Sequence, residues 1–125
     1  MTQENYSMYA RKELLSSFPY FSDYERFEND VYIVEFPSPH QTVLLWVSTQ
    51  DKEITIGFDQ NKDCVWHMHM SQLGANEIQD ELKEVIHLIK RIINGSELIA
   101  IDSEKEIYLT SDTFENEKIK KWNEL

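Results

Sequence analysis

The chain contains one cysteine, Cys64, and only three glycines and three prolines among its 125 residues. A single cysteine excludes a disulfide bond within the chain and suits a reducing compartment, so we expect a cytoplasmic protein. So few glycines leave no glycine-rich loop of the kind that holds phosphate groups, and the Gly-x-Ser-x-Gly motif of serine hydrolases is missing. The sequence therefore has no motif that would indicate a nucleotide-binding protein or a serine-nucleophile enzyme.

Long apolar runs are also missing. No stretch approaches the ~20 apolar residues that a membrane-spanning helix needs. Residues 1–17 lack the apolar core of a secretory signal, so we expect no signal peptide. The apolar fraction of 41% is nevertheless sufficient for a packed core. We therefore expect a single domain over residues 1–125, with residues 1–7 loose at its start.

Basic residues are scarce as well: 12 lysines and arginines stand against 23 aspartates and glutamates, which gives a net charge of −11. This charge repels nucleic acids, which are bound through cationic contacts, and it repels anionic membranes. It attracts a basic protein and accelerates the encounter with it. The charge predicts a basic protein partner, although solubility alone would also account for it.

The first thirty residues show a weak pattern. Residues 8–17 fit a short helix with Leu14, Leu15 and Phe18 directed inward. Residues 18–30 are rich in aromatic side chains but have no period, which indicates a loop or a broken helix.

A period of two begins at Val31 and predicts a series of β-strands joined by short turns. Strands that follow one another through such turns pair as an antiparallel meander. The predicted strands cover residues 31–36, 42–49, 53–58 and 64–70. In the third of these, Ile54, Ile56 and Phe58 should face one side of the sheet.

The clearest predicted element is an amphipathic helix over residues 76–94. Asn76 and Gln79 fit a capping box at its start, and Gly95 follows its end. Ile86 lies at the centre of its apolar stripe. The stripe consists of Ile78, Leu82, Val85, Ile86, Ile89, Ile92 and Ile93.

Two more strands, at residues 97–101 and 106–110, should form a hairpin with its turn at 102–105. The tail, residues 113–125, fits either a last helix or an edge segment. Together the elements predict an α+β fold, in which an antiparallel β-sheet meander carries one long amphipathic helix packed on one face.

The His-x-His pair of His67 and His69 raises the question of a metal site or a catalytic site. Alternate residues of a strand share a face, so we expect both histidines on the polar side and Cys64 in the apolar row that faces the helix. Zinc takes three or four protein ligands, and a thiol in an apolar row is unreactive. We therefore predict no metal, no cofactor and no catalytic residue.

The polar side of the hairpin that carries this pair is the predicted binding surface. The rival surface is the outer face of the long helix, with Asp80, Glu81 and Glu84. The candidate binding residues lie on turns or on the polar side of strands, and they are Asp51, Glu53, Asp59, Asp63, His67 and His69.

The run from Leu44 to Met70, followed by the long helix and the segment GSELIAID, resembles immunity proteins of bacterial polymorphic toxin systems. Contact-dependent growth inhibition immunity proteins are the best-known group, and Met70 departs from their pattern by replacing an aromatic residue. The resemblance covers roughly residues 44–101. The matching positions are Ile54, Ile56, Gly57, Phe58, Asp59, His67 and His69.

The resemblance implies a cytosolic protein that binds one cognate toxin domain and blocks it without catalysis. It assigns no binding residue, because immunity proteins differ in the surface they use. Many such toxins are nucleases and therefore basic. An acidic inhibitor that blocks a toxin domain by steric occlusion would match their charge. Two alternatives stay open: a non-enzymatic acidic adaptor, and a small metal-dependent enzyme that uses His67 and His69.

Overall fold

A computed structural model of the chain describes residues 1–74, 77–101, 107–110 and 118–125. These residues form an α+β fold with two α-helices, a five-stranded antiparallel sheet and a second sheet of three strands. The predicted fold class is therefore confirmed. Among the described residues, no helix is both long enough and apolar enough to cross a membrane.

The five-stranded sheet confirms the predicted meander, because each strand pairs in antiparallel fashion with the next one along the chain. The sequence pattern does not predict its first strand, since the segment ERFE carries three charges and has no apolar alternation. Glu25 fixes this strand by accepting hydrogen bonds from Arg11 at 2.8 and 3.0 Å and from the Tyr32 hydroxyl at 2.7 Å. The strands are β1 (Glu25–Glu28), β2 (Val31–Pro37), β3 (Leu44–Ser48), β4 (Thr55–Gln60) and β5 (Asp63–His69).

Helix α1 (Gln3–Ser17) begins five residues before the predicted start. The expectation of a loose segment at residues 1–7 is wrong. The Thr2 hydroxyl caps the helix by accepting a hydrogen bond from the Asn5 amide at 3.1 Å, and Tyr6 and Ser7 are buried. A hydroxyl cap and buried polar side chains do not appear in an apolar pattern, which explains why the prediction missed this turn.

Helix α2 (Ile78–Ile93) confirms the predicted long helix. Asn76, and with it the predicted capping box, lies outside the described residues, and Glu77 occupies the N-cap position. The apolar stripe is centred nearer to Ile89 than predicted, because Ile86 is only half-buried. The buried residues of the helix are Glu81, Leu82, Val85, Leu88, Ile89 and Ile92.

The second sheet has the strand order β7-β6-β8, with β6 (Leu98–Ile101) between β7 (Ile107–Thr110) and β8 (Lys118–Lys120). The antiparallel pairing of β6 with β7 confirms the predicted strand pair, and its predicted turn at 102–105 lies outside the described residues. Strand β8 lies at the edge of this sheet, so the edge-segment alternative is correct for that part of the tail.

The main core lies between the inner face of the five-stranded sheet and the two helices. Three residues of the predicted strand 53–58 are fully buried, as the sequence predicts for one side of it: Ile54, Ile56 and Phe58. Leu14 of α1 and Ile89 of α2 are also fully buried within the same cluster. The helices therefore share the inner face of the sheet. The opposite face, which points away from the helices, is the outer face.

The prediction that Glu81 lies on the outer face of α2 is wrong. Its side chain is buried. Its carboxylate accepts a hydrogen bond from the Tyr6 hydroxyl at 2.8 Å and one from the Ile54 amide at 3.3 Å. Burial, together with the hydrogen bond and negative charge of Glu81, raises the pKa of Tyr6 above its ordinary value. Glu81 thus connects α2 to α1 and to Ile54, the residue that precedes β4.

Replacing Tyr6 with phenylalanine should lower the free energy of unfolding by about 1.5–3 kcal/mol, the usual range for a hydrogen bond to a charged group. The substitution leaves a buried carboxylate with one partner fewer. The exposed Tyr24 provides the matched control, and Tyr24→Phe should change stability by less than about 0.5 kcal/mol. Urea denaturation measures both, and equal effects would contradict a structural role for the Tyr6–Glu81 contact.

Candidate functional site

The outer face of the five-stranded sheet is organised around Trp46. Trp46 on β3, Gly57 on β4 and His67 on β5 are neighbours across the strands. A Cβ atom at Gly57 would lie 2.3 Å from the Trp46 ring and 2.7 Å from the Trp66 carbonyl oxygen. Only glycine therefore lets the indole lie across β4. The indole Nε1 donates a hydrogen bond to Asp59 Oδ1 at 2.8 Å, which fixes the ring from a second side.

A groove of about 350 Å³ opens beside the indole. Asp51 and Glu53 line it from the segment before β4, and His67 and His69 line it from β5. The structure thus brings four of the six predicted binding residues to one cavity. The full lining consists of Trp46, Ser48, Gln50, Asp51, Glu53, Thr55, Cys64, His67 and His69.

The other two predicted residues, Asp59 and Asp63, do not line this groove. Asp59 lies beyond the indole, where it borders a second cavity of about 430 Å³ that also includes Glu35. Asp63 is exposed at the start of β5. The hydrogen bond between Trp46 and Asp59 connects residues that line the two cavities.

Cys64 lies on the polar face, which corrects the prediction that it belongs to the apolar row. The pairing of β4 with β5 shifts register at Asp59: Phe58 pairs with Trp66, whereas Asp59 pairs with Cys64. The extra residue, Val65, is a β-bulge, and a bulge reverses the face on which the preceding side chains lie. No signal in the single strand sequence reveals a bulge, because it arises from the pairing.

The thiol of Cys64 is not activated for nucleophilic chemistry. Its Sγ lies 4.0 Å from Nδ1 of His67. Cys64 is exposed, but partial desolvation of its thiol by neighbouring groups, and then the negative charge of Asp59, raises the pKa of Cys64. Because the thiolate is the reactive form of cysteine, these surroundings make the thiol less nucleophilic.

The two histidines of the groove have different surroundings. Their ring centres lie 5.4 Å apart. Nδ1 of His69 lies 2.7 Å from the Thr55 hydroxyl oxygen and 3.6 Å from a carboxylate oxygen of Glu53. Within the described part of the chain, no three or more histidine, cysteine or acidic side chains are grouped in a way that could hold a metal ion.

The N-terminus of α1 positions the loop that carries Asp51. Asp51 and Lys52 have positive φ values of 60° and 54°, a backbone conformation that side chains other than glycine adopt rarely. Gln3 supports this loop, since it donates to the Thr49 carbonyl at 2.8 Å and accepts from the Lys52 amide at 3.1 Å. Glu53 is oriented in turn by the hydroxyl of Ser71, which donates to it at 2.6 Å.

Asp59 carries an electrostatic cost in the free protein. Burial raises its pKa, and the negative charges of Glu35 and Asp63 raise it further, while the hydrogen bond from Trp46 opposes them. The charged carboxylate is therefore less stable in this position than it would be in water.

Three residues that build the site were not predicted from the sequence: Trp46, Gly57 and Gln3. Gly57 is a weak signal on its own, because a glycine inside a strand often marks a close approach of other groups. The contribution of Gln3 could not be read from the sequence, since it acts on a loop that lies 46 residues or more along the chain.

Comparison of the chain with protein-family models, curated proteins and solved structures finds no match.

Proposed function

We propose that the protein is an immunity protein that acts in the cytoplasm by binding one basic toxin domain and covering its functional surface. The placement of charge is the observation that carries this proposal. The chain has a net charge of −11, and Asp51 and Glu53 line a groove whose described lining includes no lysine or arginine. Such a surface attracts and orients a basic partner.

The chemistry of the groove supports binding more than catalysis. The thiol of Cys64 has a raised pKa. Nucleophilic catalysis by a cysteine needs the thiolate, so this thiol does not favour a covalent mechanism. The described side chains of the groove instead offer hydrogen-bonding groups, two carboxylates, and the indole of Trp46 beside two imidazoles.

The outer face also has the composition of a protein-binding surface. Interfaces are anchored by a few residues, often tryptophan, tyrosine or arginine, and are surrounded by polar groups that exclude water. Trp46 is half-exposed near the middle of this face, with Asp51 and Glu53 on one side of it and Asp59 on the other. The segment that resembles immunity proteins includes all four of these residues.

The test is to look for a toxin gene beside this gene, to express its toxin domain, and to measure the association of that domain with the protein by stopped-flow mixing. We expect a tight complex in which the toxin is inactive. The association rate should fall steeply between about 0.05 and about 0.5 M salt, because screening shortens the range of steering, while dissociation changes less. No binding to the neighbouring toxin domain would refute the proposal, and an association rate independent of salt would refute electrostatic steering.

Elemental analysis of protein purified without a polyhistidine tag separates this proposal from the metal-dependent enzyme. An immunity protein that acts by occlusion should contain no stoichiometric metal. About one equivalent of zinc, lost in His67→Ala, would favour the enzyme instead. A basic partner without toxic activity would favour the acidic adaptor.

A further inference from the structure

Trp46 presents a fixed aromatic surface to the groove. Gly57 has no side chain, so the ring can lie against β4 at that position. The hydrogen bond to Asp59 at 2.8 Å fixes the orientation of the ring. An aromatic ring that is already held in place loses little conformational entropy when a second group packs on it. The part of the indole that lines the groove is therefore a preorganised surface for a flat ligand group.

Negative charge borders the same cavity. Asp51 is exposed, and Glu53 is half-buried with its carboxylate oriented by Ser71. The residue that follows Asp51, Lys52, is not among the described residues that line the groove. A cation that enters the groove would thus approach two carboxylates and an aromatic ring together.

Arginine is the cationic side chain that suits this combination best. Its guanidinium is planar and weakly hydrated, it stacks on aromatic rings, and it forms paired hydrogen bonds to carboxylates. Lysine provides a compact, strongly hydrated charge that packs less well against a flat aromatic ring. The groove, at about 350 Å³, is large enough to admit a side chain but small for a folded element.

We propose that this groove receives an arginine side chain of the basic partner, with its guanidinium against Trp46 and its charge directed to Asp51 and Glu53. The identity of the partner rests on the proposed function, whereas the preference for arginine can be tested without the toxin. Trp46 is then the anchor of the interface, and the two carboxylates determine which residue the partner must supply.

The test uses three blocked tripeptides, Gly-Arg-Gly, Gly-Lys-Gly and Gly-citrulline-Gly, added to ¹⁵N-labelled protein. Citrulline keeps the shape of arginine but removes its charge. The arginine peptide should shift the indole N–H signal of Trp46 along a saturating curve, and citrulline should bind about tenfold more weakly or worse because the cation is lost. The lysine peptide should fall between them.

Two variants examine the two halves of the proposed site. Asp51→Asn with Glu53→Gln keeps the shape of the groove and should weaken binding of the arginine peptide about tenfold. Trp46→Leu should weaken it by about threefold or more, monitored at the backbone amides of Thr55 and His69. Asp80→Asn with Glu84→Gln, on the exposed face of α2, removes the same charge and should have little effect.

The proposal is overturned if the arginine peptide gives no saturable shift, if the citrulline or the lysine peptide binds equally well, or if the groove variant binds as the unmodified protein does. These outcomes are distinct from the failure of the proposed function. Toxin binding without peptide binding would support the immunity function and refute the arginine site. Peptide binding without toxin binding would support the arginine site and refute the immunity function.

Discussion

The double substitution Asp51→Lys and Glu53→Lys should slow association with the toxin domain by about tenfold or more at low salt. Both residues line the groove. Reversing their charge would therefore repel the basic surface that they are proposed to attract. The dissociation rate should also rise, because the proposed arginine would lose both of its acceptors. Stopped-flow mixing measures the association rate, and a competition chase measures the dissociation rate.

The matched control reverses Asp80 and Glu84 on α2 and changes the net charge by the same amount. Both side chains are exposed. Glu81 is unsuitable for this control, because its buried carboxylate is bonded to Tyr6 and Ile54. The α2 pair should have only a small effect on the association rate. If the α2 pair slowed association more than the groove pair, the interface would lie on the helical side of the molecule.

Ile89→Ala should lower the free energy of unfolding by about 2–5 kcal/mol, the range observed when a large buried aliphatic side chain is truncated. Ile89 is fully buried in the core between α2 and the sheet. The loss combines the transfer of apolar atoms with the cavity that remains, since the neighbouring side chains relax only in part. Urea denaturation measures the change, with the slope of the transition as a check on two-state unfolding.

Two further substitutions on the same helix test the orientation of α2. Ile86→Ala should cost less than Ile89→Ala, because Ile86 is half-buried. Glu84→Ala should cost less than about 0.5 kcal/mol, because Glu84 is exposed. A larger loss at Ile86 than at Ile89 would show that the helix is rotated and that the stripe is centred as the sequence pattern predicts.

Apolar periodicity predicted the parts of the fold that a periodic core dictates. The strands around Ile54, Ile56 and Phe58 and the long helix follow directly from alternating and helical spacing. Strand β1 did not, because a charged edge strand has no apolar period to detect, and its position depends on contacts with Arg11 and Tyr32. The first turn of α1 was missed for a related reason: a hydroxyl cap and buried polar residues stabilise it.

The candidate site was predicted in outline but not in detail. Strand alternation placed His67 and His69 on the polar face, and the structure places both in one groove with Asp51 and Glu53. The same alternation placed Cys64 on the wrong face, since the β-bulge at Val65 interrupts it. The role of Trp46 depends on Gly57 in the adjacent strand, and such a cross-strand pairing becomes visible only once the register is known.

Cys64 provides the most direct measurement of whether the toxin occupies the groove. It is the single cysteine of the chain, it is exposed, and it lines the groove. The rate at which a small thiol reagent labels it therefore reports access to the proposed interface. A matched control carries Cys64→Ser and Glu84→Cys, which moves the single thiol to the exposed face of α2.

Saturation with the toxin domain should slow labelling of Cys64 by about tenfold or more, in proportion to the fraction of protein that stays free. Labelling of the control thiol at position 84 should proceed at nearly the same rate with and without toxin. Unchanged labelling of Cys64 in a complex shown to be saturated would contradict the groove as the binding site, and protection of the control thiol instead would place the toxin on α2.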